Sequence, residues 1–365
     1  MRKRFRILFA LIALAVVGGI VWAVIYSHEP VYQGKGLSAW LEDLDDPHPG
    51  PKKDRAEEAV RHIGRDAMPE IIRILKRRDS SLKERSMKWL SEHHFFKAAY
   101  HPVIESQSRA LRACSVLGPQ AKAAIPAMVS LVNESSHARW LEQALVQAGP
   151  DAVAPLIGAL TNRDYQVRRD VAYRLWRFPN SGPKVMPVLI ECLKDKSLEV
   201  RVGAVFSMGE LKQEPIIAIP ALMAMLEDTT PSVRWRACLA IGKYEHEAQA
   251  ATAALLTALS DPDPSVSGTA AIALVQINPE DASIIAKAMP FLTKDLLGIA
   301  APTLRMRQNF RSSAIRVMGR LGKQAEPAVP ALIECLKDED DYVREAAGKA
   351  LKEIDPEAAA KAGVK

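Results

Sequence analysis

The sequence is poor in the residues that build chemical sites. Its four cysteines, Cys114, Cys192, Cys238 and Cys335, are too few and too scattered for a disulfide framework. No C-x-x-C, H-E-x-x-H, G-x-S-x-G or P-loop is present, which removes the common redox, zinc, acyl-transfer and phosphate-binding motifs. Aromatics make up only 6%, and no alternating apolar–polar run occurs after about residue 50, so a β-protein is excluded. Surplus charge is nearly absent as well. The formal net charge is +6, but Arg2, Lys3, Arg4 and Arg6 supply four of those charges, and the remainder gives no clustered basic surface for nucleic acid. What is abundant is apolar residues at 48% beside 25% charged ones, the Ala- and Leu-rich profile of packed helices.

One long apolar run stands apart. Ile7 to Tyr26 is uncharged over 20 residues, which at about 1.5 Å per residue matches the roughly 30 Å hydrocarbon layer of a bilayer. A cleaved signal peptide is the alternative, but its apolar region is usually about 7–15 residues and ends at a small-x-small site, absent from the exit Ala23-Val24-Ile25-Tyr26-Ser27. The run is therefore expected to be an uncleaved signal anchor over 7–26. Residues 1–6 form a basic N-terminus that the positive-inside rule keeps in the cytoplasm, so the rest faces the periplasm or exterior. Ala15, Gly19 and Ala23 share one helix face and offer a small-xxx-small contact for a homo-oligomer, although such residues are common in any span.

The remainder repeats. Val167-Arg168, Val200-Arg201 and Val233-Arg234 recur every 33 residues, and Phe310-Arg311 and Val343-Arg344 are again 33 apart. Asn162, Asp195, Asp228 and Asp261 march at the same interval ahead of them, with Asp338 in the last unit. Residues 189–195 and 332–338 both read LIECLKD, and Arg112-Ala113-Cys114 matches Arg236-Ala237-Cys238. A period near 33 with two short helices per unit predicts a solenoid.

This pattern resembles the HEAT repeat and the HEAT-like repeat of phycobilin lyases, over about residues 52–356. The resemblance implies an all-α fold: an α-solenoid of about seven to eight HEAT-type helix pairs behind one N-terminal transmembrane helix. Residues 27–51 are expected as a linker with a short capping helix from Ser38, and 357–365 as a C-terminal tail. The segment Gly34-Lys35-Gly36-Leu37-Ser38-Ala39-Trp40-Leu41 is similar to one found in membrane-anchored bacterial HEAT proteins.

Within each unit the first helix (A) is expected to begin near Pro69, Pro126, Pro187, Pro220, Pro290 or Pro330, because proline's missing N–H goes unpaired in a first turn anyway. An Asp-bearing turn leads into the second helix (B), whose Ala204, Ala237, Ala270, Ala314 and Ala347 permit close packing. Asp195 and Arg201, Asp228 and Arg234, and Asp338 and Arg344 are six apart and read as a structural ladder, each Arg reaching an Asp of its own or the neighbouring unit. The cysteines occupy equivalent places in equivalent helices, which predicts small buried residues, with a disulfide the alternative.

The period breaks twice. Residues 89–108 add His93, His94, Phe95, Phe96, Tyr100 and His101, whose spacing matches no metal site, and an aromatic helix extension is expected. The 44-residue step from Val266 to Phe310 implies an inserted basic loop around 297–309 carrying Arg305 and Arg307. Partner-binding candidates are these two with Arg169, Tyr173, Arg177, Arg236, Lys243, Arg316 and Arg320 on the concave B-helix face, Arg and Tyr being favoured at interfaces. Only His246-Glu247 offers a His–Glu pair within the array, too little for a di-iron enzyme of this architecture. The expectation is a non-enzymatic scaffold binding protein or peptide at a bacterial cytoplasmic membrane, with no cofactor, metal or nucleic acid. The alternative is a lyase- or isomerase-type enzyme of the phycobilin-lyase class.

Overall fold

The computed structural model describes residues 29–46, 48–78, 102–132, 134, 138–298 and 304–364, with backbone alone at 102, 138, 295–298 and 304–310. The chain divides into two units, residues 1–152 and 153–365.

The first unit starts with a hairpin that the sequence reading lacks. Val31–Tyr32 (β1) pairs antiparallel with Lys35–Gly36 (β2). Gln33 and Gly34 between them take φ of 48° and 77°, the two positive values a type I′ turn requires. Helix α1 (Leu37–Asp43) follows, and the indole of Trp40 donates to the Tyr32 and Lys35 carbonyls at 3.2 and 3.1 Å, pinning hairpin to helix. Leu37, Trp40, Leu41 and Leu44 are buried at helical spacing. The short helix expected in this stretch is present, and it packs as part of the unit. The helix begins at Leu37, and Ser38 spends its N–H and hydroxyl on the Glu29 carboxylate, at 3.1 and 2.5 Å. Helices α2 (Pro51–Ile63), α3 (Met68–Leu75), α4 (Pro102–Leu117), α5 (Ile125–Val129) and α6 (Ala138–Ala148) complete the unit. Asp45 draws α1 to α4, accepting from Arg109 at 3.1 Å and pairing with Arg112 at 2.5 Å. The buried amide of Gln107 donates to the Leu75 and Arg77 carbonyls, closing the end of α3. The His- and aromatic-rich stretch 93–101 lies outside the described residues.

The second unit alternates A and B helices: α7 (Val153–Ala159), α8 (Tyr165–Ala172), α9 (Gly182–Cys192), α10 (Leu198–Leu211), α11 (Pro215–Ala224), α12 (Pro231–Gly242), α13 (Thr252–Ala258), α14 (Pro264–Ile277), α15 (Ala282–Gly298), α16 (Leu304–Leu321), α17 (Val329–Cys335), α18 (Asp341–Ile354) and the short α19 (Pro356–Lys361). One leucine per A helix, Leu156, Leu189, Leu222, Leu255, Leu292 and Leu332, is fully buried, as are the B-helix valines Val200, Val233, Val266 and Val343. Burying such a side chain contributes about 1.5–3 kcal/mol, so each repeat is held by the same few positions. Successive B helices meet at glycine–alanine contacts: a Cβ on Gly209 would lie 2.9 Å from the Ala240 Cα, one on Gly242 3.0 Å from the Ala273 Cα, and one on Gly319 3.2 Å from the Ala350 Cα. All four cysteines are free and buried, and burial pushes the thiols up, to about 12 at Cys114 and Cys238 and about 11 at Cys192. They serve as small apolar packing residues.

Three expectations are corrected here. Pro69, Pro126 and Pro330 do stand in the first turn of an A helix, but Pro187, Pro220 and Pro290 lie inside α9, α11 and α15, because these helices begin a turn or more earlier. Of the basic loop expected at 297–309, residues 297–298 belong to α15 and 304–309 to α16, where residues 304–318 contain neither Gly nor Pro; residues 299–303 lie outside the described residues. Arg305 and Arg307 therefore lie on the first turn of a helix. Residues 357–364 are no tail: Asp355 caps α19 through the Ala358 N–H at 2.9 Å, and Ala359 is buried.

No helix among the described residues is long and apolar enough to cross a membrane. The span expected at 7–26, with Ala15, Gly19 and Ala23, lies outside them.

Candidate functional site

The recurring charges divide into a paired edge and a B-helix face with open charges. Along the edge, Arg168 forks onto Asp195 at 2.7 and 2.9 Å, Arg201 onto Asp228 at 2.8 and 3.2 Å, and Arg234 onto Asp261 at 2.7 and 2.8 Å. Each carboxylate lies 27 residues ahead, in the next unit's turn. The remaining guanidinium nitrogen donates back to a carbonyl of its own unit, Arg201 to Asp195 and Arg234 to Asp228, both at 3.0 Å. Each ladder Asp also accepts the N–H two residues on, so it orders the turn while a later residue, such as Asp263 or Asp340, caps the B helix. Arg311 pairs with Asp338 in the same way. The series is interrupted where Ser267 stands in the Arg position. Arg344 turns instead to Asp341 and the Asp338 carbonyl.

These bonds move the acids downward. At Asp195 the Arg168 hydrogen bonds dominate and hold the carboxyl below its usual range. At Asp228 and Asp261 burial pushes the other way, and the bonds from Arg201 and Arg234, with a backbone N–H each, outweigh it.

Among the candidate binding residues, Arg169 lies on α8 and Arg236 on α12, Tyr173 and Lys243 sit at the C-terminal caps of these helices, and Arg177 ends the short helical turn Leu175–Arg177 that follows α8. The Tyr173 ring packs on Phe206 at 5.4 Å, Trp176 meets Phe206 edge-on at 6.1 Å, and the Lys243 ammonium lies 5.9 Å from the same ring while pairing with Glu210. Arg177 stacks on Trp176 at 4.0 Å and Arg236 on Trp235 at 4.1 Å. Gly203 makes the cluster possible, since a Cβ there would stand 3.0 Å from the Tyr173 ring. Arg169 is held by Asp170 at 2.7 Å. Arg236 is different: it donates to the Ser232 carbonyl at 2.9 Å and forms no ion pair among the described residues. Burial lowers its affinity for the proton, and burial raises the Tyr173 phenol against the pull of Arg236 and Arg169. A half-buried cation stacked on an aromatic ring, with no ion pair among the described residues, suits a carboxylate brought by a partner.

Arg316 and Arg320 line a separate groove between α16 and α18 with Tyr342, Lys349 and Glu353. The side chains of Arg305 and Arg307 are not described. Sequence reasoning missed Phe206, Glu210, Lys349 and Glu353, yet the signal was available. They lie one period of 33 beyond Tyr173, Arg177, Arg316 and Arg320.

Stacked two-helix units tied by an Arg–Asp ladder define an α-solenoid, and the family model for HEAT repeats matches residues 153–230, 219–295 and 301–362. These matches cover more than half of the chain, which belongs to the HEAT-repeat family. No curated protein shows significant sequence similarity to it. Among solved structures it is similar to Kap121p (14% identity over 87% of this chain, TM-score 0.55) and to Kap121p bound to RanGTP (15% over 87%, 0.53), spanning 37% of that protein's length in both. It is also similar to the CpcE–CpcF complex of phycocyanin lyase from Nostoc sp. PCC7120, with 23% identity over 66% of this chain and 92% of that one, and a TM-score of 0.43. At 14–15% identity, what is shared with Kap121p is the fold.

Proposed function

We propose that this chain is a non-enzymatic scaffold, anchored by residues 7–26 at the outer face of a bacterial cytoplasmic membrane, that binds a protein or peptide through the B-helix face of residues 153–365. The observation that carries the binding reading is Arg236, a half-buried guanidinium with no ion pair among the described residues, stacked on Trp235 beside Tyr173, in an array whose edge arginines are fork-paired with carboxylates. The glycine–alanine joints support B as the concave layer, because they draw B helices together. Kap121p bound to RanGTP, of the same fold, supports protein binding as work such an array does. The anchor and its orientation rest on the apolar run and the flanking Arg2, Lys3, Arg4 and Arg6.

Two measurements test the reading. Protease added outside intact spheroplasts should digest the array; an array that stays protected contradicts the outward orientation. A Tyr173→Ala, Arg236→Glu double variant should keep its helical circular dichroism and lose the partner recovered by crosslinking from native membranes, since buried Arg and Tyr anchors each cost at least about 2 kcal/mol when removed. Retention of that partner contradicts the B-face reading.

A further inference from the structure

The last two B helices touch at Gly319 and Ala350 and leave an open groove beside that joint. A cavity of about 710 Å³ opens between α16 and α18, within the range of roughly 300–1,000 Å³ typical of sites that hold a ligand. Arg316 and Arg320 lie four residues apart on α16, hence on one helix face. Lys349 and Glu353 occupy the equivalent positions one period later on α18, and all four line the cavity. Elsewhere this cross-repeat position is used internally: Glu210 and Lys243, also 33 apart, close into an ion pair. Arg320 and Glu353 do not, and neither Arg316 nor Lys349 forms an ion pair among the described residues; Arg316 has only a weak 3.4 Å contact with the Ser313 hydroxyl. Of the two acids at the cavity, Asp340 is engaged as the cap of α18, accepting the Tyr342 N–H at 2.8 Å. Three cations thus face one open carboxylate. Tyr342, 80% exposed, lines the cavity as an aromatic anchor, and the small side chain of Ala346 leaves room beside it.

We propose that this groove binds an extended acidic peptide segment, its carboxylates forked by Arg316 and Arg320 and met by Lys349, and a hydrogen-bond donor or basic side chain of the peptide facing Glu353. Arginine's planar fork matches carboxylates, and discrete carboxylates can avoid Glu353 in a way that a continuous phosphate backbone cannot. The groove rests on the scaffold reading only for the source of the peptide. Its binding is separable from that at Tyr173 and Arg236.

The probe is a short fluorescein-labelled peptide of alternating glutamate and glycine with one central lysine, added to the full-length chain in detergent micelles and read by fluorescence anisotropy. Saturable, salt-sensitive binding is expected, weakened at least about tenfold by Arg320→Glu and by Ala346→Tyr, which fills the groove without touching the ladder. Lys349→Glu should act in the same direction, and Tyr173→Ala should leave the affinity unchanged. Absence of saturable binding overturns the proposal. So does equal binding by the Arg320→Glu and Ala346→Tyr proteins with unchanged melting curves, or displacement of the peptide by a single-stranded oligonucleotide that binds more tightly. The scaffold reading fails separately, if the Tyr173→Ala, Arg236→Glu protein keeps its crosslinked partner.

Discussion

Arg234→Ala is expected to destabilise the unit formed by residues 153–365 by about 2–4 kcal/mol, the cost of removing one partner from a largely buried charge pair. Both sides of this pair are shielded, with side-chain exposures of 13% for Arg234 and 11% for Asp261. The substitution deletes two bonds to the next unit and one to the Asp228 carbonyl, and it leaves Asp261 with the Asp263 N–H at 2.9 Å but without its cation. For a unit of this size the melting temperature should fall by about 6–12 °C in calorimetry. Arg234→Lys keeps the charge but not the fork and should fall between the two proteins. The same ladder sets an acid limit. Asp195, Asp228 and Asp261 have folded-state pKa values below their ordinary ones. Their contribution is therefore complete above the unfolded carboxyl value of about 3.9 and is lost as pH falls through the lower folded values. Melting temperature should drop as pH falls below about 3.9 in the wild type and less steeply in Arg234→Ala. An unchanged melt in the variant contradicts a structural ladder.

Gly209→Val is expected to cost about 3 kcal/mol although it adds apolar surface, because its Cβ would stand 2.9 Å from both the Cα and Cβ of Ala240. A backbone atom cannot swing aside, so α10 and α12 must separate, and the buried Val205 and Ile241 of these helices lose packing with them. Gly158 on α7 is the control: a Cβ there meets nothing within 4 Å, and Gly158→Ala should raise stability by up to about 1 kcal/mol through helix propensity alone. Denaturant midpoints of the two variants should move in opposite directions. Equal shifts would mean that glycine at 209 matters for backbone propensity and not for the helix joint.

The repeat was legible because its bonds are periodic. Arg201 and Arg234 must each meet a carboxylate in the next turn, so both residues recur in register, and the family follows from that spacing. Direction was not legible: Asp195 lies six residues before Arg201, but its carboxylate takes the fork of Arg168 in the preceding unit, and Arg201 reaches only its carbonyl. Helix limits were misread where proline is tolerated within a helix, as at Pro187 and Pro220, and where residues expected in a loop are helical, as from Leu304. The hairpin escaped because two-residue strands show no alternation and Gln33 is an unusual residue for a positive φ. The binding face was half legible. Tyr173 and Arg236 stood out by residue type, whereas Phe206, Lys349 and Glu353 emerge only when each candidate is carried forward one repeat, and whether Arg320 and Glu353 pair depends on side-chain placement that the spacing does not set.

Photocrosslinking in native membranes reads the binding face most directly. A benzoylphenylalanine placed at Tyr173 on the B-helix face should capture a discrete protein adduct in intact cells, and one placed at the exposed Glu191 on A helix α9 should capture none. An adduct from Glu191 with none from Tyr173 would contradict a scaffold that works through its B helices.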